Sequence, residues 1–285
     1  MILPPRAIDG HAHVFRRGLP TAAEPRYVPD YDATSDDYLA LLDEHGIAGA
    51  LLVQPSFLGA DNEFLLACLR RCRDRFRAVV VLDGPGDLAP LSVDGVAGTR
   101  LNLIDRAVPE LTAPSWQRLG AELARRGQHL EVQARDEHWT ALAPALRHWP
   151  SPVVLDHLGL PGTSAEADRA VLDLAQLDHV WIKASAPYRS PRGSATTMLG
   201  RILAEAGPHR LLWGSDWPWT RHEHRRTYAS CLAWLADHLD QQTLHAVVAQ
   251  NAARLLRWSP DPVPAPAPTQ GTRTAEAMTG GTNRL

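Results

Sequence analysis

The sequence has few cysteines, little net charge and no long hydrophobic run. Its 285 residues include three cysteines, Cys68, Cys72 and Cys231. This set is too sparse for a disulfide framework, so we expect a reducing, cytoplasmic location. The net charge is −3 without any basic block, which argues against a nucleic-acid partner. No apolar run approaches the ~18 residues of a membrane span, and the N-terminus lacks the apolar core of a signal peptide, so we expect neither a membrane partner nor secretion.

Short apolar segments alternate with helical patterns along the chain. Continuously apolar runs such as residues 78–82 are typical of parallel strands that are covered on both faces. The length also suits an α/β barrel, which often has roughly 250 residues. We therefore predict a (β/α)8 TIM barrel over residues 1–258, with a doubly wound open sheet as the alternative. The predicted strands are 7–14, 49–55, 76–83, 96–103, 129–134, 152–159, 180–186 and 211–218. The first predicted helix includes residues 38–42, follows the cap residues Ser35 and Asp36 and stops at Gly46. The other predicted helices are 63–73, 115–126, 137–148, 165–176, 195–206, 223–238 and 241–257.

Two segments lie outside this alternation. The first strand-to-helix connection, residues 15–34, is long and rich in Pro, Arg and Tyr, and we predict a lid or rim there, since long loops in compact domains are usually functional or mobile. After Trp258 prolines recur at every second position, followed by small polar residues. We predict that residues 259–285 form a disordered, Pro-rich C-terminal tail.

Polar residues at the carboxyl ends of barrel strands are candidates for catalysis. His11 and His13 share one face of the first strand, His157 follows the sixth, and Asp216 follows the eighth. A carboxylate beside histidines can take a proton from water and return it to a leaving group. The same four residues could alternatively bind one zinc or manganese ion. His222-Glu223-His224 is predicted to open a polar helix as a solvated rim.

Other strand ends supply groups that suit an anionic small molecule. Arg100, Arg106 and Arg189 can each bind a carboxylate in a two-pronged geometry. Three arginines near one barrel mouth predict a small anionic substrate. The further candidate substrate-binding residues are Ser56, Gln133 and Tyr188.

The motifs together resemble one known family. They are residues 8–15 (IDGHAHVF), 26–31 (RYVPDY), 54–56 (QPS) with 59–62 (GADN), 100–102 (RLN), 155–159 (LDHLG) and 213–218 (WGSDWP). In this order, over about residues 6–257, they resemble the pyrone-dicarboxylate lactonase branch of the amidohydrolase superfamily.

The resemblance implies a barrel hydrolase that acts on lactones. It implies that Asp216 activates water, that His11, His13 and His157 surround the carbonyl, and that Ser56, Arg100, Arg106 and Arg189 bind substrate carboxylates. It also implies that no metal is required, although some relatives bind zinc or manganese.

Three positions depart from that branch. Leu160 stands where Arg is frequent, Gln133 where Tyr is found, and Trp219 where His often follows the Trp-Pro pair. We therefore predict a smaller or less anionic lactone than pyrone dicarboxylate as the substrate of a lactone hydrolase. The alternatives are a metal-dependent decarboxylase or amidase on the same barrel, and a non-catalytic barrel that binds a small acid. The oligomeric state stays open.

Overall fold

Parallel strands follow one another around the sheet in chain order. The computed structural model describes residues 3–262. Its eight strands are β1 (Ile8–Ala12), β2 (Gly49–Val53), β3 (Phe76–Val80), β4 (Val96–Asn102), β5 (His129–Gln133), β6 (Val153–Leu155), β7 (Val180–Ser185) and β8 (Leu211–Gly214). Beyond β8, the Asp216 amide donates to the His11 carbonyl and the His13 amide to the Trp217 carbonyl, both at 2.8 Å. These two bonds join the last strand end to the first, and the predicted TIM barrel is confirmed.

Helices cover the outside of this barrel. They are α1 (Ser35–Glu44), α2 (Glu63–Arg71), α3 (Pro114–Arg126), α4 (Asp136–Leu146), α5 (Ala165–Ala175), α6 (Ser194–Glu205), α7 (Tyr228–Ala236), α8 (Gln241–His245) and α9 (Asn251–Leu256), with a π-helical turn, Ala246–Gln250, between the last two. A single 3-10 turn, Ala89–Ser92, lies between β3 and β4. No helix within residues 3–262 is both long and apolar enough to cross a membrane.

The helix predicted over 223–238 begins later, so this prediction is wrong at its first turn. The Thr227 hydroxyl accepts a hydrogen bond from the Ser230 amide at 3.1 Å and caps α7. His222-Glu223-His224 therefore does not open a helix but lies in the connection between β8 and α7. Its Glu223 carboxylate accepts hydrogen bonds from the Tyr27 and Tyr31 hydroxyls.

The long connection after β1 runs along the mouth of the barrel. It leaves and returns through an antiparallel bridge between Phe15 and Ala33. Tyr27 and Tyr31 bind Glu223 from this connection, so it is tied to the loop after β8. The predicted tail from residue 259 lies, beyond residue 262, outside the described residues.

All eight strands end earlier than predicted, and the difference is largest for β6 and β8, where candidate site residues occur. The sixth strand was expected to reach residue 159, but it ends at Leu155. His157 and Leu158 then have left-handed backbone conformations, with φ of 52° and 58°. The eighth strand ends at Gly214, and Asp216 has φ of 59°. Non-glycine residues rarely adopt this conformation, and when they do they cluster at functional sites.

Glycine in the middle of β4 allows close approach of β5. A Cβ atom at Gly98 would overlap the His129 carbonyl oxygen, whereas one at Gly200, on the exposed face of α6, would meet nothing within 4 Å. We predict that Gly98→Ala lowers the free energy of unfolding by about 1–3 kcal/mol, because backbone must move. Gly200→Ala, the control, should raise it by up to about 1 kcal/mol. Urea unfolding measures both, and wild-type stability of Gly98→Ala would contradict the packing described.

Candidate active site

Three imidazoles surround one carboxylate at the carboxyl end of the barrel. The distances from Asp216 Oδ1 to the Nε2 atoms of His11, His13 and His157 are 3.7, 3.8 and 3.9 Å. All four residues are buried. The structure thus brings together the four residues that the sequence analysis singled out for catalysis.

Asp9 holds the two halves of this group in register. Its Oδ1 accepts hydrogen bonds from the backbone amides of His11 at 3.1 Å and Ser215 at 2.9 Å. Its Oδ2 accepts from the hydroxyls of Tyr38 at 2.7 Å and Tyr228 at 2.9 Å. Burial raises the pKa of Asp9, and these hydrogen bonds offset only part of that effect. Asp9 therefore acts as a buried anchor that fixes the strand ends carrying His11 and Asp216.

The two oxygens of Asp216 have different surroundings. Oδ2 accepts hydrogen bonds from the Tyr188 hydroxyl at 2.6 Å and from Arg189 Nε at 2.7 Å. Oδ1 has no hydrogen-bond donor among residues 3–262. Burial raises the pKa of Asp216, but the charge of Arg189 and the neighbouring histidines lower it more, so the pKa lies below its usual range. Asp216 is thus an ionised carboxylate with one oxygen held and one directed at the histidines.

The three histidines are neutral at neutral pH. Burial lowers the pKa of His13 to about 3 and that of His157 to about 4. Burial, followed by the charge of Lys183, holds the pKa of His11 well below its usual range. His13 Nδ1 lies 2.8 Å from the Val53 carbonyl, which can only accept, so this nitrogen carries the proton and Nε2 presents a lone pair.

A layer of buried charges lies beneath the histidines. Lys183 Nζ is 2.5 Å from Glu131 Oε2, 2.8 Å from His11 Nδ1 and 3.3 Å from Asp156 Oδ1. Arg100 donates to Asp156 Oδ2 at 2.7 and 3.0 Å. Burial raises the pKa of Asp156, but Lys183 and Arg100 lower it more, so it stays ionised. Lys183, Glu131 and Asp156 are charged residues within or next to apolar strands in the sequence, which is a signal for buried polar function, but the predicted site included none of them.

A pocket opens above this group. Its wall includes Ser56, Arg100, Gln133 and Arg189 from the predicted substrate-binding set. Tyr188 instead supports Asp216 from the side. Arg106 is exposed and is not among the residues that line this pocket.

Two lining arginines were missed by the sequence analysis. Arg26 lies on the connection after β1, where it contacts the Ser56 hydroxyl at 3.3 Å and Asp105 at 3.9 Å. Arg221 lies on the loop after β8, with φ of 71°, and its guanidinium makes no hydrogen bond or ion pair within residues 3–262. Burial lowers the pKa of Arg26; Asp105 opposes this, whereas Arg100 and Arg221 add to it. This crowding of positive charge favours an anion in the pocket.

Some of these residues form a possible metal-binding group. His11, His157 and Asp216 each offer one ligand atom, and these three atoms lie within 4.8 Å of one another. A second such group, His11 with Glu131 and Asp156, surrounds the ammonium of Lys183. The first group has the donor types that zinc accepts.

Two solved structures share this fold. A probable 2-pyrone-4,6-dicarboxylic acid hydrolase from Acinetobacter baumannii, with citric acid bound, has a TM-score of 0.84 and 30% identity, over 89% of this chain and 100% of that chain. An amidohydrolase from Burkholderia multivorans with bound zinc has a TM-score of 0.74 and 23% identity, over 88% of this chain and 99% of that chain. The second likeness concerns the fold alone.

Sequence comparison agrees with the fold. The chain is 29% identical over 238 residues to the 2-pyrone-4,6-dicarboxylate hydrolase of Comamonas testosteroni. The aligned region covers 76% of this chain and 78% of that protein. The family model described as Amidohydrolase matches residues 8–258, a range that contains every residue of the site. The chain therefore belongs to the amidohydrolase family.

Proposed function

We propose that this protein hydrolyses the ring ester of a carboxylated lactone. The observation that carries the proposal is the position of Asp216. Its Oδ1 is buried, ionised and without a hydrogen-bond donor in the described chain, and it faces three imidazole nitrogens at 3.7–3.9 Å. A binding protein needs no such base, whereas ester hydrolysis needs a group that accepts a proton from water. Every residue invoked lies within the proposed catalytic domain, residues 1–258.

Water activation is assigned to Asp216 and His13. Asp216 Oδ1 and the lone pair on His13 Nε2 lie 3.8 Å apart and both accept hydrogen bonds. Two acceptors can orient the two hydrogens of one water, so that its oxygen lone pair points at the carbonyl carbon. Asp216 then takes one proton as the carbon–oxygen bond forms.

Stabilisation of the carbonyl oxygen is assigned to hydrogen-bond donors. His11 and His157 direct Nε2 toward the same region, and Arg100 lines the pocket beside them. Donors placed before the reaction stabilise the negative charge that develops on the carbonyl oxygen. The ring carbon–oxygen bond then breaks, and the proton held by Asp216 passes to the departing ring oxygen. The product is an open-chain hydroxy acid.

Binding an anion assists this chemistry. Arg189 donates to Asp216 Oδ2 and also lines the pocket. A substrate carboxylate near Arg189 and Arg100 cancels part of the positive field that lowers the pKa of Asp216, so Asp216 becomes a stronger base in the complex. Arg26 and Arg221 offer a further position for a carboxylate at the outer side of the pocket.

A metal-dependent reaction is the second candidate, and the group of His11, His157 and Asp216 favours it. We propose the metal-free reaction instead, because Tyr188 and Arg189 already occupy one oxygen of Asp216 and two cations, Arg189 and Lys183, flank the group. A divalent ion would be placed against this positive charge. If the alternative holds, protein purified without added metal contains stoichiometric zinc or manganese, and chelation removes metal and activity together.

Removal of the carboxylate charge tests the proposed base. We expect Asp216→Asn to lower kcat by about 10³-fold or more on the lactone that wild type hydrolyses best, since general-base catalysis contributes about 10²–10⁴-fold. The substrate is found with a panel of lactones in a pH-indicator assay, run with and without a chelator. Circular dichroism checks the fold, and Asp237→Asn, an exposed aspartate, is the matched control. Wild-type kcat in Asp216→Asn would refute the mechanism.

The pH profile should show no group with an ordinary histidine pKa. The active form has Asp216 ionised and the histidines neutral, so activity is present above their pKa values and is lost as pH falls through them. With the pKa of His157 lowered to about 4 and that of Asp216 below its usual range, kcat/KM should stay level from about pH 8 to about pH 5 and fall near pH 4. Stopped assays across this range measure it. A limb near pH 6.5 would instead identify a histidine as the base.

The outer arginines should determine recognition of the carboxylate. We expect Arg26→Gln and Arg221→Gln each to lower kcat/KM by about 10- to 100-fold for a carboxylated lactone, since a hydrogen bond to a charged group contributes about 1.5–3 kcal/mol. For an uncharged lactone with the same ring, kcat/KM should change little. Arg225→Gln, on the same loop and exposed, serves as control. Equal losses on both substrates would show that these arginines support the loop and not the anion.

A further inference from the structure

The chain contains one lysine, and that lysine is fully buried. Of the 29 basic residues, 28 are arginine and the remaining one is Lys183. Its side chain is 0% exposed at the centre of the barrel, beneath the histidines. A buried ammonium is costly unless its donors are used.

Three acceptors surround the Lys183 ammonium. They are Glu131 Oε2 at 2.5 Å, His11 Nδ1 at 2.8 Å and Asp156 Oδ1 at 3.3 Å. An ammonium group has three N–H donors and no acceptor. Nδ1 of His11 must therefore present its lone pair to Lys183. In a neutral imidazole the proton then resides on the other nitrogen, Nε2.

We propose that Lys183 is a positioning residue that keeps the proton of His11 on Nε2. Toward Asp216 Oδ1, 3.7 Å away, His11 then presents a hydrogen-bond donor and not a metal ligand, because a metal needs the lone pair of that nitrogen. The use of this donor at the carbonyl oxygen rests on the proposed lactone hydrolysis. The position of the proton and its effect on metal binding do not.

The geometry explains why a lysine occurs in a chain that otherwise uses arginine. The ammonium is compact and contacts three separate elements, through hydrogen bonds to β1 and β5 and an ion pair with the turn after β6. A guanidinium is planar and broad, and its donors form a fixed fork suited to one carboxylate. Arg100 shows that use, because its Nε and one terminal nitrogen both bind Asp156 Oδ2.

The contact with Lys183 also gives His11 a different hydrogen-bonding role from His13, two residues further along the chain. His13 Nδ1 donates to the Val53 carbonyl, so its Nε2 is an acceptor. His11 Nδ1 meets a donor, so its Nε2 is a donor. His11 in β1 and His13, just after it, therefore present opposite hydrogen-bonding groups near Asp216 Oδ1, one suited to a developing oxyanion and one to water.

Nitrogen NMR of the wild-type protein tests the assignment directly. The protein is labelled with ¹⁵N-histidine, and His11→Gln identifies the His11 signals. A second sample carries ¹⁵Nζ-lysine, which marks a single site in this sequence. We expect proton-bearing Nε2 and lone-pair Nδ1 for His11, and three protons on the lysine nitrogen. A proton on Nδ1 of His11 would overturn the proposal, whatever substrate the protein uses.

Removal of the ammonium provides the functional test. In Lys183→Met, His11 Nδ1 can instead donate to Asp156 Oδ1, 3.4 Å away, or Glu131 Oε1, 3.6 Å away, which frees the lone pair of Nε2. We expect kcat to fall about 10²–10³-fold, the effect of losing one oxyanion donor, with KM nearly unchanged. Zinc alone, added in a calorimetric titration, should bind at least about tenfold more tightly than to wild type.

A charge-balanced variant covers the case in which Lys183→Met does not fold. Lys183→Met with Glu131→Gln removes one cation and one carboxylate while Asp156 remains paired with Arg100. The same shift of the His11 proton and the same gain in zinc affinity are expected. Addition of His11→Gln should remove the gain in zinc affinity. Unchanged His11 signals, or unchanged zinc binding with the proton moved, would overturn the proposal. If the protein does not hydrolyse lactones, the NMR and zinc-binding results still test the position of the His11 proton.

Discussion

Pairing of buried charges is the constraint on which the rest of the site depends. Three buried ion pairs lie within the barrel end, and they join Arg100 to Asp156, Lys183 to Glu131 and Arg189 to Asp216. Any one of these charges left alone in such an environment would cost several kcal/mol. Because the set is balanced, the strands can carry ionised groups inside an apolar barrel. The balance also leaves one carboxylate oxygen, Asp216 Oδ1, directed at the reaction site.

The surroundings of the histidines also determine which ring nitrogen carries the proton. Burial keeps them neutral, so each offers one donor and one acceptor, and the partner of Nδ1 decides which of the two reaches the pocket. Val53 and Lys183 decide it in opposite ways for His13 and His11. Two identical side chains, one in β1 and one just after it, thereby present a hydrogen-bond donor and a hydrogen-bond acceptor.

The outer part of the pocket is built differently from its base. Arg26 and Arg221 come from loops, and the hydrogen bonds of Tyr27 and Tyr31 to Glu223 join those loops across the barrel mouth. Such loops vary without disturbing the strands beneath. Changes in these loops can therefore alter substrate choice while the buried charges and Asp216 of this chain keep their positions.

Local patterns in the sequence determined much of this protein. Apolar strand segments at regular intervals predicted the barrel. The strand-end positions of His11, His13, His157 and Asp216 predicted that these side chains meet, because parallel strands all end on one side. The sequence patterns predicted turn and cap geometry less well. The left-handed backbone at His157 ends β6 early, and Thr227 starts α7 five residues later than the apolar pattern indicated.

Only the tertiary structure decided which charges meet. Arg106 and Arg221 look alike in the sequence, but Arg106 is exposed away from the pocket and Arg221 lines it, since each depends on the path of its own loop. Lys183, Glu131 and Asp156 are distant along the chain and come together because consecutive strands close into a barrel. This cluster also determines which ring nitrogen of His11 carries the proton, because the direction of a hydrogen bond depends on the neighbours in space and not on those in sequence.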